Sequence, residues 1–329
     1  MKLSATTVLF LAILFGSAET ALGDSTGFVD SGGVFTVVQA PGASSTFAYG
    51  INNYGQVVGG GDYSTGVFGW VDTGGAFTMI GVPGSNSIRA TGINNNGQIV
   101  GDFSNATGSH GFVDVGGVIT QISFPGSNFT VLWGINDAGQ VVGNASDSSG
   151  NSVAFVESGG VFTTLQDPNA SPNSTYVFGI NNSGQITGYY TNSNGSYGFV
   201  DTGGVFTTID APGTTSSAGN TNIYGINDSG QVVGFSSNGN PACPGFVDTG
   251  GVFATVCDPA LWPQGEVIPF GINDSGQVVG TVAPEPSSPI LLLFGLATVG
   301  IMGLRARRVR TEDEGGGRRL NLPFRITAP

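Results

Sequence analysis

The chain has 329 residues, of which 57 are glycine and 9 are lysine or arginine, and its formal net charge at pH 7 is −13. Proteins that bind nucleic acid neutralise phosphates with many basic residues, so this composition excludes nucleic acid as a partner. Valine, isoleucine and phenylalanine are too frequent for a disordered chain, and residues 24–282 are numerous enough to bury the core of one all-β domain.

Residues 1–23 are typical of a signal peptide. Lys2 supplies a positive start, and residues 8–15 (VLFLAILF) supply an apolar segment. Small residues suited to cleavage follow at 16–18 (GSA) and at 21–23 (ALG). The apolar segment is too short to anchor the chain in a membrane, so we expect it to be cleaved after export.

A motif that starts with Gly-Ile-Asn occurs six times between residues 24 and 282. Each copy continues, after two residues, into Gly-Gln-Val-Val-Gly or a close variant. The copies begin at Gly50, Gly92, Gly134, Gly179, Gly225 and Gly271, at spacings of 42, 42, 45, 46 and 46 residues. Self-similarity at a nearly fixed period indicates a repeat architecture.

A second motif recurs with the same period and places an aromatic residue (in every copy Phe or Trp), a valine and an acid in a row, followed by x-Gly-Gly. Its acids are Asp30, Asp72, Asp114, Glu157, Asp201 and Asp248. Both motifs contain turn sequences, in which asparagine and aspartate tolerate left-handed backbone and glycine permits positive φ. The segments between these turns are short and rich in β-branched and aromatic residues, so each repeat is predicted to form two hairpins.

Four short strands in a unit of about 43 residues, repeated six times, predict a six-bladed β-propeller. The array begins with the second hairpin of a unit (27–38) and ends with the first hairpin of a unit (270–281). We therefore expect these two hairpins to form one blade together and to close the ring, which removes exposed sheet edges. A parallel β-solenoid is the competing fold, but its coils are usually shorter and need no pair of tight turns in each unit.

The repeats also resemble the HAF family of extracellular repeats, whose units pair an Ile-Asn-x-x-Gly-Gln-Val-Val-Gly segment with an aromatic hairpin. The family's His-Ala-Phe survives here only as His110-Gly111-Phe112 and as Ala154-Phe155. The resemblance implies an exported repeat protein and supplies no activity.

Few residues are candidates for chemistry, and none is predicted to be catalytic, to bind a cofactor or to bind a metal. His110 has only Asp114 as a local partner in sequence, so a structural role is favoured over general base catalysis. The six motif acids would either form a ring that holds a cation or cap the backbone of their own turns, and the turn role is favoured. No nucleophile elbow occurs, and paired carboxylates for glycoside hydrolysis remain an open alternative because residues 24–282 contain seventeen acids.

Cys243 and Cys257 are predicted to form a disulfide. They flank the hairpin of residues 245–256, and no other repeat contains cysteine. A three-residue loop with Asp248 facing Val252 would place the two cysteines directly opposite each other. The predicted export route leads to an oxidising compartment, where such pairs form bridges.

The C-terminal part of the sequence has three consecutive features. Pro284-Glu285-Pro286 precedes an apolar run of 16 residues, 289–304, and the basic residues Arg305, Arg307, Arg308 and Arg310 follow. A single transmembrane helix with its arginines in the cytoplasm is favoured over a buried core helix, because a core helix rarely has four arginines directly after it.

This order of features resembles the PEP-CTERM sorting signal of Gram-negative bacteria that produce exopolysaccharide. The resemblance implies export, a transient anchor in the inner membrane through residues 283–310, and processing near Pro284-Glu285-Pro286 by an exosortase. Residues 311–329 extend beyond the usual end of such a tail. They either impair processing or are a disordered or wrongly assigned end.

The sequence therefore favours an exported, non-enzymatic protein of the cell surface or extracellular matrix, with a structural or carbohydrate-binding role and an exopolysaccharide or other surface glycan as partner. The alternative is a secreted enzyme, a polysaccharide hydrolase or lyase with its site in the central channel. Aromatic and acidic residues clustered asymmetrically at one channel mouth would favour the enzyme. A channel lined by the same residues in every repeat would favour the scaffold or binding role.

Overall fold

The computed structural model describes residues 25–212, 219–237, 243–257 and 265–284. These residues form 24 β-strands arranged as six four-stranded antiparallel blades, which confirms the predicted six-bladed propeller. The predicted signal peptide, the membrane span 289–304 and the tail 311–329 lie outside the described residues.

Within each blade the strands follow one another from the innermost to the outermost position. Blade 1 contains β3 (Ser45–Ile51), β4 (Gln56–Tyr63), β5 (Gly66–Thr73) and β6 (Ala76–Ile80). Blade 2 contains β7 (Ser87–Ile93), β8 (Gln98–Asn105), β9 (Gly108–Val115) and β10 (Val118–Ile122). Blade 3 contains β11 (Thr130–Ile135), β12 (Val141–Ser146), β13 (Ser152–Ser158) and β14 (Val161–Leu165). Blade 4 contains β15 (Thr175–Ile180), β16 (Ile186–Asn192), β17 (Gly195–Thr202) and β18 (Val205–Ile209). Blade 5 contains β19 (Gly219–Ile226), β20 (Val232–Ser236), β21 (Gly245–Thr249) and β22 (Val252–Thr255).

Blade 6 joins the two ends of the array. It contains β23 (Gly265–Ile272) and β24 (Val278–Pro284) from the last hairpin and β1 (Thr26–Asp30) and β2 (Phe35–Val38) from the first. β1 pairs antiparallel with β24 over five residue pairs, from Thr26 with Val282 to Asp30 with Val278. The predicted closure of the ring is therefore confirmed.

The tight turns of the blades are made by glycine. In blade 1 the turn between β3 and β4 has Gly55 at φ +75°, and the turn between β5 and β6 has Gly74 and Gly75 at φ +62° and +90°. Two successive positive φ angles are those of a type I′ hairpin turn, whose twist matches the twist of the strands. The asparagines and aspartates of these turns do not share this left-handed backbone, since Asn173 is the one described non-glycine residue with positive φ.

The hydrophobic core lies between neighbouring blades. In the described part of the chain, six clusters of buried apolar side chains each span two adjacent blades, including the pair formed by blades 6 and 1. Val57 and Val58, which are adjacent in the second strand of blade 1, are only 2% and 0% exposed, which shows that this strand is covered on both faces. This burial explains why apolar residues occur there in adjacent pairs rather than alternating.

A glycine in each second strand makes room for the aromatic residue of the third strand. A methyl group added at Gly59 would lie 2.0 Å from the carbonyl oxygen of Phe47 and 2.3 Å from the ring of Trp70. Gly101, Gly143, Gly188, Gly234 and Gly280 have the same surroundings in the other blades. The second glycine of Gly-Gln-Val-Val-Gly is therefore required by the aromatic residue of the second motif.

Candidate functional site

The six acids of the second motif cap their own turns. The carboxylates of Asp30, Asp72, Asp114, Asp201 and Asp248 each accept a hydrogen bond of 2.7 Å from the backbone N–H three residues later, and Glu157 accepts the equivalent bond from Gly160. Burial raises the pKa of Asp30 and of Asp201 above the ordinary value of 3.8, and the N–H donor in each turn acts in the opposite direction. These bonds supply the predicted turn role for all six acids. Among the described residues, no three His, Cys, Asp or Glu side chains converge in a way that could hold a metal ion.

His110 is buried among hydroxyl groups. Its Nε2 lies 2.8 Å from the Thr107 hydroxyl, and its Nδ1 lies 3.2 Å from the Ser123 hydroxyl. Its ring also contacts that of Phe103. The Asp114 carboxylate, the partner that the sequence suggested, instead accepts from Gly117. Hydroxyl partners on both ring nitrogens fit the predicted structural role.

The structure contains a disulfide between Cys243 and Cys257, whose Cα atoms are 5.4 Å apart. The predicted register of the hairpin is wrong by one residue. Thr249, and not Asp248, lies opposite Val252, because Gly250 and Gly251 form a two-residue turn with φ angles of +60° and +91°. Val256 consequently bonds to Gly245 through its N–H, and the cysteines lie just beyond the ladder at slightly offset positions.

The first motif builds a closed ring of asparagines around the propeller axis. The Nδ2 of Asn52 donates to the carbonyl oxygen of Asn94 in the next blade, 3.1 Å away. The same bond continues through Asn94, Asn136, Asn181, Asn227 and Asn273, and Asn273 donates back to Asn52. We call these six residues the asparagine ring. The ring was not anticipated from the sequence, in which these asparagines were interpreted only as turn residues.

Each member of the asparagine ring also fixes its own turn. In Asn52, the side-chain oxygen accepts from the N–H groups of Tyr54 and Gln56, and the side-chain nitrogen donates to the Gln56 carboxamide. The Gln56 carboxamide in turn donates to Thr73, the last residue of β5 before the turn to β6. The pattern Asn-x-x-Gly-Gln therefore links the axis, the inner turn and the outer hairpin in blade 1, and Gln185, Gln231 and Gln277 make the equivalent outer bond in their blades.

A second ring lies beside the first and is made by the next residue of each turn. We call Asn53, Asn95, Asp137, Asn182, Asp228 and Asp274 the Asn/Asp ring. The backbone N–H of each residue donates to the side-chain oxygen of the next, at 2.8–2.9 Å, and Asp274 closes the ring onto Asn53. Amide Nδ2 groups also donate to the second oxygens of Asp137, Asp228 and Asp274. A cavity of about 70 Å³ is lined by both rings and by the isoleucines that precede them.

The innermost glycines of the six blades approach one another closely around the axis. A methyl group at Gly92 would lie 2.7 Å from the carbonyl oxygen of Trp133 and 3.3 Å from the Cα of Gly134. Equivalent glycine-to-glycine approaches occur in every blade and include Gly271 against Gly50. Only glycine allows the six inner strands to approach this closely.

A belt of large side chains surrounds the axis next to the glycines. The residue before each innermost glycine is the extra residue of a β-bulge in its strand. These residues are Tyr49, Thr91, Trp133, Phe178, Tyr224 and Phe270, and we call them the aromatic belt. Neighbouring rings of the belt are in contact, with centroids 5.1 Å apart for Trp133 and Phe178 and 5.3 Å apart for Tyr49 and Phe270. Thr91, the one member without a ring, donates to the carbonyl oxygen of Leu132 at 2.7 Å.

Arg89, the only arginine between residues 24 and 282, forms an ion pair near the axis. Its Nε and Nη2 donate to the two carboxylate oxygens of Asp102, at 3.0 and 3.2 Å. The two residues face each other across β7 and β8. No sequence motif indicates this contact, because hairpin register brings the two residues together.

The predicted sorting motif begins at the end of the last strand. β24 continues to Pro284, which is paired with Gly265, so the strand runs two residues past the predicted end of the propeller at 282. Glu285, Pro286 and the arginines at 305, 307, 308 and 310 lie outside the described residues. No helix long and apolar enough to cross a membrane is present in the described ranges.

Solved structures of similar fold have little sequence in common with this chain. A protein called AofleA from Arthrobotrys oligospora is 12% identical with a TM-score of 0.46, and the alignment covers 80% of this chain and 84% of that one. The six-bladed lectin of Aleuria aurantia is 12% identical with a TM-score of 0.44, over 78% and 85% of the two chains. Virginiamycin B lyase from Staphylococcus aureus is 11% identical with a TM-score of 0.43, over 78% and 99%. Likeness at this level says nothing about activity or ligand, and no curated protein is significantly similar to this sequence.

The C-terminal segment matches a known family model. Residues 282–308 match the PEP-CTERM protein-sorting motif, which contains the predicted motif, the apolar run and three of the four arginines. This motif implies export, sorting to the surface and an exosortase as the general kind of processing partner. The resemblance of the repeats to the HAF family stays a prediction. The chain thus carries a PEP-CTERM protein-sorting motif, whose matched range begins at residue 282 within the last strand of a closed six-bladed propeller.

Proposed function

We propose that this exported propeller works without catalysis in the cell surface or extracellular matrix, as a structural or carbohydrate-binding component. The observation that carries the proposal is the use of the repeat-equivalent polar residues. All six motif acids accept hydrogen bonds within their own turns, and the side chains of the asparagine ring donate hydrogen bonds to neighbouring blades. Groups committed to the scaffold in every repeat are unsuited to proton transfer.

The alternative, a polysaccharide hydrolase or lyase, has fewer supports. Hydrolysis of glycosides commonly needs two carboxyl groups that flank the bond to be cleaved. Among the described carboxylates near the axis, Asp137, Asp228 and Asp274 accept backbone hydrogen bonds from neighbouring blades, and Asp102 is bound to Arg89. A glycan array probed with the purified protein tests the binding role, and release of reducing or unsaturated ends from the bound glycans tests the enzyme. Turnover of any bound glycan would refute the non-enzymatic role.

Processing is proposed to occur at Pro284-Glu285-Pro286, in a bacterium that has an exosortase and with a transient anchor in the inner membrane. Mass spectrometry of the exported protein should find a new C-terminus near this motif. A variant with Glu285→Ala and Pro286→Ala should retain the tail and accumulate in the membrane fraction. Exported wild-type protein that still ends at Pro329 would refute processing.

A further inference from the structure

A cavity of about 370 Å³ opens at the surface between blades 1 and 2. Its blade 1 side includes Val71 and Thr78, which pair with each other across β5 and β6. Its blade 2 side includes Ile99, Asp114 and Ile119. The volume lies in the range of about 300–1,000 Å³ that is usual for small-molecule sites. The cavity is therefore large enough for a small ligand.

The cavity coincides with a break in the repeat in the fourth strand of blade 2. Ile119 occupies the position at which the fourth strands of the other five blades have Phe35, Phe77, Phe162, Phe206 and Phe253. Each of these phenylalanines packs on the aromatic residue of the third strand in its own blade, with ring centroids 5.1–5.3 Å apart. Ile119 packs against the apolar cluster that blades 1 and 2 share. Because isoleucine has no ring, the gap between these two blades lacks one aromatic side chain.

A second break in the repeat lies at Gly81, which also lines the cavity and directly follows β6. The other five blades have a side chain at this position, on Gln39, Ser123, Gln166, Asp210 and Cys257. The carboxamides of Gln39 and Gln166 donate to backbone oxygens of the loops that follow them. A methyl group added at Gly81 would meet no heavy atom of a non-neighbouring residue within 4 Å. Two positions that border the cavity therefore have less side chain than the repeat provides elsewhere.

Most of the cavity lining is apolar. Ile80, Ile93 and Ile99 are buried, and Val71 and Ile119 are partly buried beside them in the cluster shared by blades 1 and 2. Apolar cavities left by missing side chains can hold small apolar molecules, because water finds few hydrogen-bond partners in them. Since the side chain that blade 2 lacks is an aromatic ring, the space favours a ligand with such a ring.

A carboxylate stands among these apolar residues. Asp114 lines the cavity, and its Oδ1 accepts the 2.7 Å hydrogen bond from the Gly117 N–H of its own turn. The other oxygen accepts no hydrogen bond from the described residues and is reached by solvent. A few polar groups in an apolar lining are typical of small-molecule sites, where they orient the ligand. This oxygen would accept from a hydroxyl group and would repel a second carboxylate.

We propose that this cavity is a binding site for a small uncharged aromatic molecule that carries a hydroxyl group. The site is independent of the structural or carbohydrate-binding role proposed above. The ring of the ligand would pack against Ile99 and Ile119, in the gap where the repeat elsewhere places a phenylalanine, and its hydroxyl would donate to the free oxygen of Asp114. The ligand is uncharged rather than anionic because Asp114 lies in the lining and the net charge of the chain is −13.

The test compares substitutions that fill the cavity with one that does not. Ile119→Phe gives blade 2 the ring that the other five blades have at this position. Thr78→Phe fills the cavity from the blade 1 side at an exposed position, so it carries the test if Ile119→Phe fails to fold. Ala76→Val is the matched control, because Ala76 stands where the other five blades have valine but does not line the cavity. Thermal melting shows which variants are folded.

Binding would be followed by methyl NMR of the isoleucines in full-length protein in detergent. The signals of Ile80, Ile93 and Ile99 report on the cavity and not on probe that enters the micelles. The probes are 2-phenylethanol and phenylacetate, which have the same ring and chain length but differ in charge. We expect 2-phenylethanol to shift these signals to saturation and phenylacetate to bind at least tenfold more weakly. Ile119→Phe and Thr78→Phe should weaken the binding of 2-phenylethanol at least tenfold, and Ala76→Val should leave it unchanged.

Other results would contradict the proposal in separate ways. Equal binding of 2-phenylethanol by the wild type and by a folded cavity-filling variant would overturn the location of the site. Phenylacetate that binds as tightly as 2-phenylethanol would overturn the assignment of an uncharged ligand. If neither probe shifts the signals of the cavity isoleucines, the aromatic site itself is refuted, whatever the glycan array shows.

Discussion

Thr187 in blade 4 occupies a position where the other five blades have valine. The valines are Val58, Val100, Val142, Val233 and Val279. The Thr187 side chain is fully buried, and its hydroxyl makes no hydrogen bond in the described structure. Because valine has nearly the same shape, the hydroxyl adds a desolvation cost without improving the packing.

We therefore expect Thr187→Val to stabilise the protein by about 1 kcal/mol, which is the usual magnitude for a buried polar group without a partner. Thermal or urea unfolding measures the change. Thr91→Val is the control, because the Thr91 hydroxyl donates to the carbonyl oxygen of Leu132 at 2.7 Å and its loss should destabilise the protein. The same sign for both variants would contradict the assignment of hydrogen bonds.

Two turn acids, Asp30 and Asp201, give the stability of the protein a dependence on pH. Burial raises the pKa of Asp201 above 3.8, and the neighbouring Asp167 acts in the same direction. A carboxyl whose pKa is higher in the folded than in the unfolded state lowers the free energy of unfolding when it is ionised. This loss disappears as the pH falls to the pKa that the carboxyl has in the unfolded state, and below it. Asp201→Asn keeps the acceptor for the Gly204 N–H, so we expect it to be more stable than wild type at pH 7 and equal to it near pH 3.5.

Asp147 provides a comparison of opposite sign. Hydrogen bonds from Asn151 hold its pKa below the ordinary value, so its ionised form contributes stability above that value. Asp147→Asn should therefore be less stable than wild type at pH 7, and the deficit should shrink as the pH falls. Melting curves at pH 7, 5 and 3.5 distinguish the two cases, and an Asp201→Asn effect independent of pH would contradict the burial argument.

At the scale of strands and turns, the asparagine ring joins neighbouring blades at the turns between their first and second strands. Asn181 donates to the carbonyl oxygen of Asn227 and to Gln185, and its side-chain oxygen accepts from the N–H groups of Ser183 and Gln185. It is 4% exposed. Asn181→Asp replaces the amide donor with a buried carboxylate that faces two oxygens.

We expect Asn181→Asp to cost about 3–5 kcal/mol, the range for a buried charge without a partner, and Asn181→Ala to cost about 2–4 kcal/mol. Urea unfolding measures both. Tyr54→Ser is the control, because Tyr54 belongs to an equivalent turn, is 77% exposed and is replaced by serine in three other blades. An Asn181→Asp variant as stable as Tyr54→Ser would show that the ring does not contribute to stability.

The elements were predictable from the sequence to the extent that their causes are local. The glycine pairs at 74–75 and 250–251 fix two-residue turns, and the turn acids need only an N–H three residues away. The register of the cysteine hairpin failed because a third residue was counted into such a turn. The asparagine ring could not be foreseen, because the acceptor of each Nδ2 lies 42–46 residues away in another blade or, for Asn273, across the closed ring.

At the scale of the whole molecule, stability depends on the blade that joins both ends of the array. Deleting residues 24–40 removes β1 and β2 and leaves β24 without its partner from Thr26 to Asp30. It also removes Phe28, Val38 and Ala40 from the cores that blade 6 shares with both of its neighbours. We expect this truncation to unfold cooperatively at a much lower temperature than the wild type.

A circular permutant provides the control for this truncation. It keeps β1 and β2 but attaches residues 25–40 after Pro284 through a short linker, which the antiparallel pairing of Thr26 with Val282 allows. We expect the permutant to melt near the wild type. A truncation that melts at the wild-type temperature would show that the ring does not need its sixth blade.

The position of β24 also sets the order of events during export. If the chain crosses the inner membrane from its N-terminus, β1 and β2 emerge first, and the strand that pairs with β1 is the last described strand to follow. Until almost the whole propeller has been translocated, β1 has no partner along the edge that later pairs with β24. The matched sorting motif starts at residue 282, inside that closing strand, so in this order of export the motif would follow every other strand of the body. A cut after Pro284 would leave the new chain end on a strand of a completed blade, where Pro284 is paired with Gly265 of β23 and the pairing with β1 begins two residues earlier, at Val282.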